Sequence, residues 1–359
     1  MLGTALDSHS GIAAVVKVYI AEGLFSRARV LYLATHRDGG RGRKLATAVR
    51  AALSLLRLLL AGRVGLVHVL AASGASFWRK ALLAMLARAF GVPYVMHIHC
   101  GRFVSFHRKR GALARRWIRR VLERARVVIA LSEEWIAPLT AIAPGARIAV
   151  APNPVQIPRI AAPVNAGRPT VLYLGMLHEA KGVHDLVRAW PSVLRAIPDA
   201  RLVLAGSGGL GEVDELARAL GIRAAVETPG WLAGPAKEAA IREAWVFALP
   251  SYAEALPMSL LECMAAGVPA VATRVGAIPS AIGDSGLLVP CGDPAALGEA
   301  LLELLRNTEV RLSFGCAARE RVAQRYSPQA VLPQIEAIWA LYSTLAAEPP
   351  AAPEPAAPA

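Results

Sequence analysis

The feature that most constrains this chain is an alternation: short apolar runs, each followed by a helix-length segment rich in Ala, Leu and Arg. Val64–Leu70, Tyr94–His99 and Val127–Leu131 are runs of this kind. Such alternation predicts an α/β architecture of parallel sheets covered by helices on both faces. The stretch from Pro152 to Pro169 also carries Pro154, Pro158 and Pro163. Proline fixes φ and lacks an N–H, so this stretch resists both helix and central strand, and the junction between two units is placed there. The alternation then restarts with strand Thr170–Leu174, helix Val183–Ala196, strand Arg201–Ala205 and helix Val213–Leu220. A short strand near Ala225–Glu227, a helix near Ala236–Ala244 and strand Trp245–Leu249 follow. Next are helix Pro257–Ala266, with Pro at its first position and Gly267 after its end, and strand Ala270–Thr273. Long helices run from Pro294 towards Leu345. The expected organisation is two Rossmann-like, doubly wound domains, 1–160 and 161–327, facing across a cleft. Ligands would sit at the carboxyl ends of their strands. Segment 328–345 is expected to pack back on the first domain. The Pro/Ala-rich tail 346–359 is expected to be disordered.

With 359 residues, 55% of them hydrophobic, the chain can bury two cores. No apolar run approaches the roughly 18–20 residues that span a bilayer; the richest, Ala51 to Ala61, is broken by Arg57. No charged-then-apolar signal opens the chain, so a soluble, intracellular protein is expected. Cys100, Cys263, Cys291 and Cys316 are scattered without a Cys-x-x-Cys pair. That argues against zinc and a disulfide framework and for four small buried hydrophobes. Charge is lopsided: residues 1–165 hold 25 Lys and Arg against 6 Asp and Glu, a net of +19, and residues 166–359 hold 15 against 20, a net of −5. Only the first half is suited to a polyanion or an anionic membrane.

Three features of the second half converge. Strand Val171–Leu174 runs into Gly175 and then into Lys181-Gly182 at a helix start, where unpaired N–H groups and a lysine suit a diphosphate. By itself a Lys-Gly at a helix start is usually only a solvated turn. The segment from Pro250 to Gly267 carries Glu254 in the loop before a helix and Glu262 within it. Paired carboxylates can accept hydrogen bonds from vicinal sugar hydroxyls, and the helix start between them, at Leu256-Pro257, offers N–H groups to phosphate. Two surface acids on an amphipathic helix are the plain alternative, but Glu262 sits among Leu260, Leu261, Cys263 and Met264, where an acid is rarely left without a partner. The third feature, the Gly-rich turn Gly206-Ser-Gly208-Gly209, is common to doubly wound folds.

Taken together, the chain from Gly11 to about Leu345 resembles the retaining glycosyltransferases of family 4, with the GT-B fold. The most specific part is Glu254-x7-Glu262 running into Ala-Ala-Gly-Val-Pro-Ala-Val-Ala-Thr273. Lys181-Gly182, Asn153-Pro154 and Ala248-Leu-Pro-Ser251 match in the same order. The resemblance implies a nucleotide-sugar donor, no metal or other cofactor, and transfer with retention by same-face displacement. It implies that Lys181 binds the donor diphosphate, Glu262 the ribose hydroxyls and Glu254 the transferred sugar, with backbone near Gly230-Trp231 framing the base. No Asp-x-Asp metal motif is present. Three positions depart from the family: Met176 stands where a phosphate-binding Arg is usual, Ala255 replaces a Gly, and Ser280 replaces a frequent Glu. The diphosphate is then expected to rest on Lys181 and two helix N-termini, with help from Arg274.

In the first half, Gly11 opens a helix and is a candidate for phosphate approach, though a plain turn glycine is almost as good a reading. Within Tyr94–Gly101, His97 and His99 have the parity of one strand face, so both are candidates for the cleft. The resemblance favours His99 as the residue contacting the transferred sugar or guiding the acceptor. His68 is a weaker candidate. Arg102 to Arg126 holds ten basic residues and one acid, Glu123, with Leu113, Trp117, Ile118, Val121 and Leu122 at near-helical spacing. A membrane-inserting helix and a domain helix with its apolar stripe in the core are both open readings; electrostatic docking on anionic lipid is expected in either case. The acceptor is accordingly expected to be lipid-linked or a surface glycan, with the enzyme peripheral to the cytoplasmic membrane face. Nucleic acid is not an expected partner, since no helix-turn-helix, stacking or zinc module is present. A GT-B epimerase, a non-catalytic sugar-binding relic and a basic adaptor remain the rival readings.

Overall fold

The computed structural model describes residues 1–162 and 167–344. Pro163, Leu345 and the 346–359 tail lie outside the described residues. The first half runs β1 (Leu2–Gly3), α1 (Gly11–Ala21), α2 (Leu24–Arg27), β2 (Leu33–Ala34), α3 (Arg41–Leu60), β3 (Val67–Ala71) and α4 (Ala75–Ala89). It continues with β4 (Tyr94–Ile98), α5 (Phe103–Arg108), α6 (Ala112–Arg124), β5 (Val127–Ala130), α7 (Ile136–Ile142) and β6 (Ile148–Val150). The second half runs β7 (Thr170–Leu174), α8 (Val183–Ala196), β8 (Arg201–Ala205), α9 (Leu210–Ala219), β9 (Val226–Gly230), α10 (Gly234–Glu243) and β10 (Val246–Leu249). It ends with α11 (Met258–Ala265), β11 (Ala270–Thr273), α12 (Ile278–Ile282), β12 (Gly286–Val289), α13 (Pro294–Arg306), α14 (Thr308–Arg325) and α15 (Pro328–Tyr342).

The strands form two six-stranded, all-parallel sheets, ordered β2-β1-β3-β4-β5-β6 and β12-β11-β10-β7-β8-β9. Strands β3, β4, β5, β7, β10 and β11 are buried along their whole length. Sheets covered on both faces need such continuous apolar runs, which explains why these strands were readable and the two-residue β1 and β2 were not. Each sheet reverses its winding at one point: between β1 and β3 in the first, and between β10 and β7 in the second. Loops leave in opposite directions there and open a crevice at the carboxyl edge. The loops after β7 and β10 carry Lys181 and Glu254.

Helix α15 packs on the first half. Trp339 Nε1 donates to His68 Nδ1 at 2.8 Å, Arg27 pairs with Glu336 at 3.1 Å, and the Thr344 amide donates to the Gly65 carbonyl. The Trp contact fixes a tautomer chain. An indole N–H is donor only, so His68 carries its proton on Nε2 and donates to His97 Nδ1 (3.3 Å), and His97 Nε2 donates to the Ala151 carbonyl (3.2 Å). His68 and His97 are therefore core residues, satisfied internally, and neither lines the cleft. Both rings are fully enclosed, and burial pushes His97 down to about 3 and His68 well below the ordinary histidine value.

Helix α6 buries Ile118, Val121 and Leu122, and Trp117 packs against Trp78 at 5.1 Å and Phe77 at 6.3 Å. Its apolar stripe thus belongs to the core, which decides against insertion through this helix; only Leu113 is left out of the packing. Of the four free cysteines only Cys263 is buried; Cys100 is half-buried, and Cys291 and Cys316 are exposed. The expectation of four buried thiols fails because the last two fall on a loop and on the outer face of α14. Among the described residues no helix is long and apolar enough to cross a membrane, and no group of three or more His, Cys, Asp or Glu is placed to hold a metal ion.

Candidate functional site

Two loops build the centre of the site, and glycines allow them to touch. Gly182 has φ +67°, and a Cβ there would lie 1.9 Å from the Pro250 carbonyl oxygen. The β7–α8 turn therefore packs directly on the β10–α11 loop. The Tyr252 amide donates to the Ala180 carbonyl at 3.1 Å, and Tyr252 Oη donates to Asp185 at 2.7 Å. Held this way, Lys181 Nζ donates to Glu254 Oε1 at 2.6 Å, and Ser251 Oγ donates to the same oxygen at 2.8 Å. Glu254 is nearly buried, whereas Lys181 keeps about a third of its side chain in solvent. The carboxylate is thus positioned by two donors with one oxygen in use, and the ammonium has protons left for a further acceptor.

Gly206 explains itself by packing. A Cβ there would lie 1.6 Å from the Gly175 carbonyl oxygen, so the two glycine turns after β7 and β8 interlock. Met176 follows Gly175 with its side chain half exposed and its carbonyl accepting from Tyr173 Oη at 2.7 Å. Arg274, just beyond β11, is exposed.

Helix α11 begins after Pro257, which caps it without a side-chain hydrogen bond, so its first N–H groups lack a side-chain cap. Pro257 is the residue before the helix rather than its first. Leu256 is buried, and its carbonyl accepts from Asn153 Nδ2 at 2.9 Å, which ties the inter-sheet segment to the site. Glu262, one turn into α11, has a partner that sequence reasoning missed: Lys237 of α10, whose Nζ donates to Glu262 Oε1 at 2.7 Å. Both side chains are roughly a quarter exposed or less. That partnership answers how a carboxylate stands in an apolar helix, and nothing local in the sequence announces it.

The first half meets this centre at four points. A Cβ on Gly101 would sit 2.3 Å from the Glu254 carbonyl carbon, so the β4–α5 loop lies against the Glu254–Ala255 backbone. Asn153 supplies the second contact. Gly11, at the N-terminus of α1, faces Met258; its Cβ position is 3.8 Å from the thioether stem. At the rim, the rings of His9 and Trp231 stack with centroids 4.4 Å apart and planes 9° from parallel. His99, just past β4, leans on His97 with ring centroids 4.1 Å apart, and its Nε2 is buried without a hydrogen-bond partner. Burial first, then the neighbouring His97, His68 and Lys80, holds it well below the usual histidine value, so it is neutral. Lys80, beneath this edge, donates to the Leu70 carbonyl at 2.6 Å; burial, then Arg79, lowers it to about 7. The structure therefore gathers Lys181 and Glu254 in one ion pair, with Glu262 held separately along α11. Gly11, Gly101 and His99 approach from the opposite sheet, and Trp231 stands at the rim.

Two doubly wound parallel sheets meeting edge to edge, with an acidic and basic loop pair at the second switch point, define the GT-B class. Two family profiles cover most of the chain: "Glycosyl transferase 4-like domain" matches residues 22–154 and "Glycosyl transferases group 1" matches residues 168–307. The chain belongs to this glycosyltransferase family. A phosphatidyl-myo-inositol mannosyltransferase of Mycobacterium leprae is 36% identical over 202 residues, 54% of this chain and 53% of that protein. An N-acetyl-alpha-D-glucosaminyl L-malate synthase of Bacillus anthracis is 31% identical, over 47% of this chain and 44% of that protein. The chain spans about half the length of the curated relatives it matches. Among solved structures, Anabaena Alr3699/HepE in complex with UDP and glucose superposes with a TM-score of 0.74 at 17% identity, covering 95% of this chain and 98% of that one. Sucrose-phosphate synthase from Thermosynechococcus elongatus does so with 0.72 at 21%, covering 87% and 82%. At these identities the likeness is one of fold.

Proposed function

We propose that this protein transfers a sugar, with retention of anomeric configuration, from a nucleoside-diphosphate sugar to a lipid-linked or surface-glycan acceptor at the cytoplasmic membrane face. The observation that carries the reading is the Lys181–Glu254 pair at 2.6 Å, set beside the uncapped N-terminus of α11. A cation and a ring of free N–H groups suit a diphosphate, and a carboxylate with an oxygen to spare suits sugar hydroxyls. In this reading Lys181 and the N-termini of α8 and α11 hold the diphosphate near Gly11, and Glu262 takes the ribose hydroxyls. Glu254 takes the transferred sugar, and Trp231 borders the base. His99, neutral and with an unpartnered Nε2, accepts or donates one hydrogen bond at the sugar or the incoming hydroxyl. The acceptor oxygen bonds to the anomeric carbon on the face from which the diphosphate oxygen departs. The hydroxyl proton passes to that departing oxygen, giving nucleoside diphosphate and glycosylated acceptor. No step requires a metal. The UDP and UDP-glucose complexes of HepE support a nucleotide donor. The inositol lipid and inositol phosphate in relatives' names are in keeping with a phosphate-bearing acceptor.

The test is a thermal-shift screen against a nucleotide-sugar panel, because a ligand that binds only the folded state raises apparent stability. It is followed by nucleoside-diphosphate release with and without membrane extract. Stabilisation by one donor, with release dependent on extract and lost in Glu254→Gln, is expected. Release without any acceptor product points to the epimerase alternative, and binding without release to the sugar-binding relic.

A further inference from the structure

Lys80 of α4 is enclosed to 1% exposure and has no part in the site described above. Its position follows from the sheet. Successive carbonyls of a strand point to opposite edges. The His99 amide takes the Ala71 carbonyl on the β4 side, so the Leu70 carbonyl points to the β1 side. There the ladder between β1 and β3 has the register pair Leu2 with Val69 and goes no further. Lys80 Nζ donates to the Leu70 carbonyl at 2.6 Å. Its ammonium therefore stands where β1 and β3 part, at the winding reversal of the first sheet. Its charge reaches His36 after β2 and His99 after β4, which puts it beneath the middle of the carboxyl edge. Arg79 is its neighbour. The Arg79 Nε is buried without a hydrogen-bond partner, and its Nη1 reaches the Ala75 carbonyl at 3.5 Å.

Two cations are thus held together, and among the described residues no carboxylate pairs with either. Burial lowers both, Arg79 lowers Lys80 further, and no acid offsets this. The acids at the rim are engaged elsewhere, Asp38 with His36 at 3.6 Å and Asp7 with Arg37 at 3.3 Å. A lysine kept only to satisfy the Leu70 carbonyl is the plain alternative. One neutral donor would do that without burying an unpaired charge, and the Arg79 Nε would stay unexplained. An ammonium carries three protons, and the Leu70 carbonyl takes one. We propose that the crevice between β1 and β3 seats an anionic oxygen group of the acceptor, a phosphate or a carboxylate, with Lys80 and Arg79 as its counter-ions. Lys80 supplies a point charge at the floor of the crevice, and Arg79 supplies a planar fork beside it. An acceptor anchored there is held at the edge where His99 Nε2 stands unpartnered, so its hydroxyl is presented from the first half. This deepens, and rests on, the reading of the first half as the acceptor side.

The experiment measures Tm of the full chain in potassium phosphate, potassium glucuronate and potassium chloride at matched ionic strength. It is run on the wild type, Arg79→Gln, Lys80→Met and Lys181→Ala. Phosphate or glucuronate is expected to raise Tm above the chloride value in the wild type and in Lys181→Ala, but not in Arg79→Gln or Lys80→Met. An effect of phosphate alone assigns a phosphate-bearing acceptor, and an effect of glucuronate alone an acidic sugar; either supports the site. Arg79→Gln decides the matter where Lys80→Met does not fold. In parallel, nucleoside-diphosphate release is followed against membrane extract. Arg79→Gln should raise KM for extract at least about tenfold, with KM for the donor unchanged. No anion effect in the wild type, or an equal one in Arg79→Gln, overturns the proposal. So does an effect lost in Lys181→Ala alone, which places the anion at the donor diphosphate. An unchanged KM for extract overturns the assignment to the acceptor. Nucleotide-sugar stabilisation without an anion effect rejects this site and leaves the transfer reading standing; an anion effect lost in Arg79→Gln, without any nucleotide response, does the reverse.

Discussion

Gly101 is a close contact between the two halves, and adding one methyl there perturbs the geometry of the cleft without perturbing either core. Its backbone lies outside the left-handed region, so alanine brings no conformational strain, and the nearest obstacle is the opposing loop. The new Cβ would lie 2.3 Å from the Glu254 carbonyl carbon and 2.8 Å from the Ala255 nitrogen, where ordinary contact begins at 3.4 Å. Both obstacles are backbone, held by the Lys181 and Ser251 bonds to Glu254, so the loops must part by about 1 Å rather than flex a side chain. A displacement of about 1 Å between reacting groups costs on the order of 10²-fold in rate, or about 2.7 kcal/mol of transition-state stabilisation.

The expected result for Gly101→Ala is a turnover about 100-fold lower, with Tm shifted by less than about 3 °C. Affinity for the free nucleoside diphosphate, whose proposed side-chain contacts Lys181 and Glu262 both lie on the second half, should change little. Gly40→Ala, where nothing lies within 4 Å of the new methyl, serves as the control. Turnover is read as nucleoside-diphosphate release with saturating donor, Tm by calorimetry and affinity by titration. If Gly101→Ala turned over within about threefold of wild type, closure at this contact would not be part of the reactive geometry. A collapse in Tm would refute the claim that the contact lies between units rather than inside one.

Lys237→Met leaves Glu262 without its 2.7 Å partner. If Lys237 orients that carboxylate for the ribose, KM for the donor should rise about tenfold with kcat little changed, and initial-rate kinetics showing a pure kcat loss would contradict this. Gly182→Ala forces φ +67° on an L-residue and drives its methyl into the Pro250 carbonyl. A loss of about 2 kcal/mol or more is expected, and an unmoved urea midpoint would count against it. The buried histidines make stability fall with acidity. His97 titrates near 6.5 when unfolded and near 3 when folded, so the unfolded chain binds the extra proton as pH drops. Stability is full above about pH 6.5 and is lost progressively down to about 3, by about 2 kcal/mol at pH 5. His68 adds in the same direction. A Tm that does not fall between pH 7 and pH 5, or falls equally in His97→Gln, would show that another group governs the transition.

What the sequence disclosed and what it hid follow one physical division. Strands Thr170–Leu174, Arg201–Ala205 and Ala270–Thr273 and helix Val183–Ala196 match the structure to the residue, because a strand enclosed on both faces must be apolar throughout. Strands β1 and β2, two residues each with only β2 at the sheet edge, are too short to show such a run and were barely visible. Glu254 and Ser251 were legible as parts of one local run, three residues apart. Lys237 and Glu262 are 25 residues apart on different helices, and no periodicity connects them. Strand parity put His97 and His99 on one face correctly, yet parity cannot tell a cleft from a core. The Trp339 and Ala151 partners that enclose His68 and His97 come from distant segments. The same limit left α6 open between a membrane helix and a core helix, and only packing shows that its apolar stripe is already covered.

The ion pair at the centre also bears on the missing arginine. Met176 stands where the family resemblance expects a second phosphate-binding cation, and its side chain is half exposed at the end of β7. Lys181 cannot replace that charge alone, because Glu254 already balances it at 2.6 Å. In the proposed reading, net positive potential for a diphosphate then comes from the N–H groups of α8 and α11, each lacking a side-chain cap. Arg274, exposed beyond β11, belongs to the segment that packs through Gly276 on the Glu254 backbone and is a further candidate cation. A pair that is neutral before the donor arrives also keeps Glu254 from repelling the diphosphate. When a phosphate draws one of the lysine protons into a hydrogen bond, the carboxylate is loosened towards the sugar. In the proposed reading, donor arrival and the readiness of Glu254 are in that way one event.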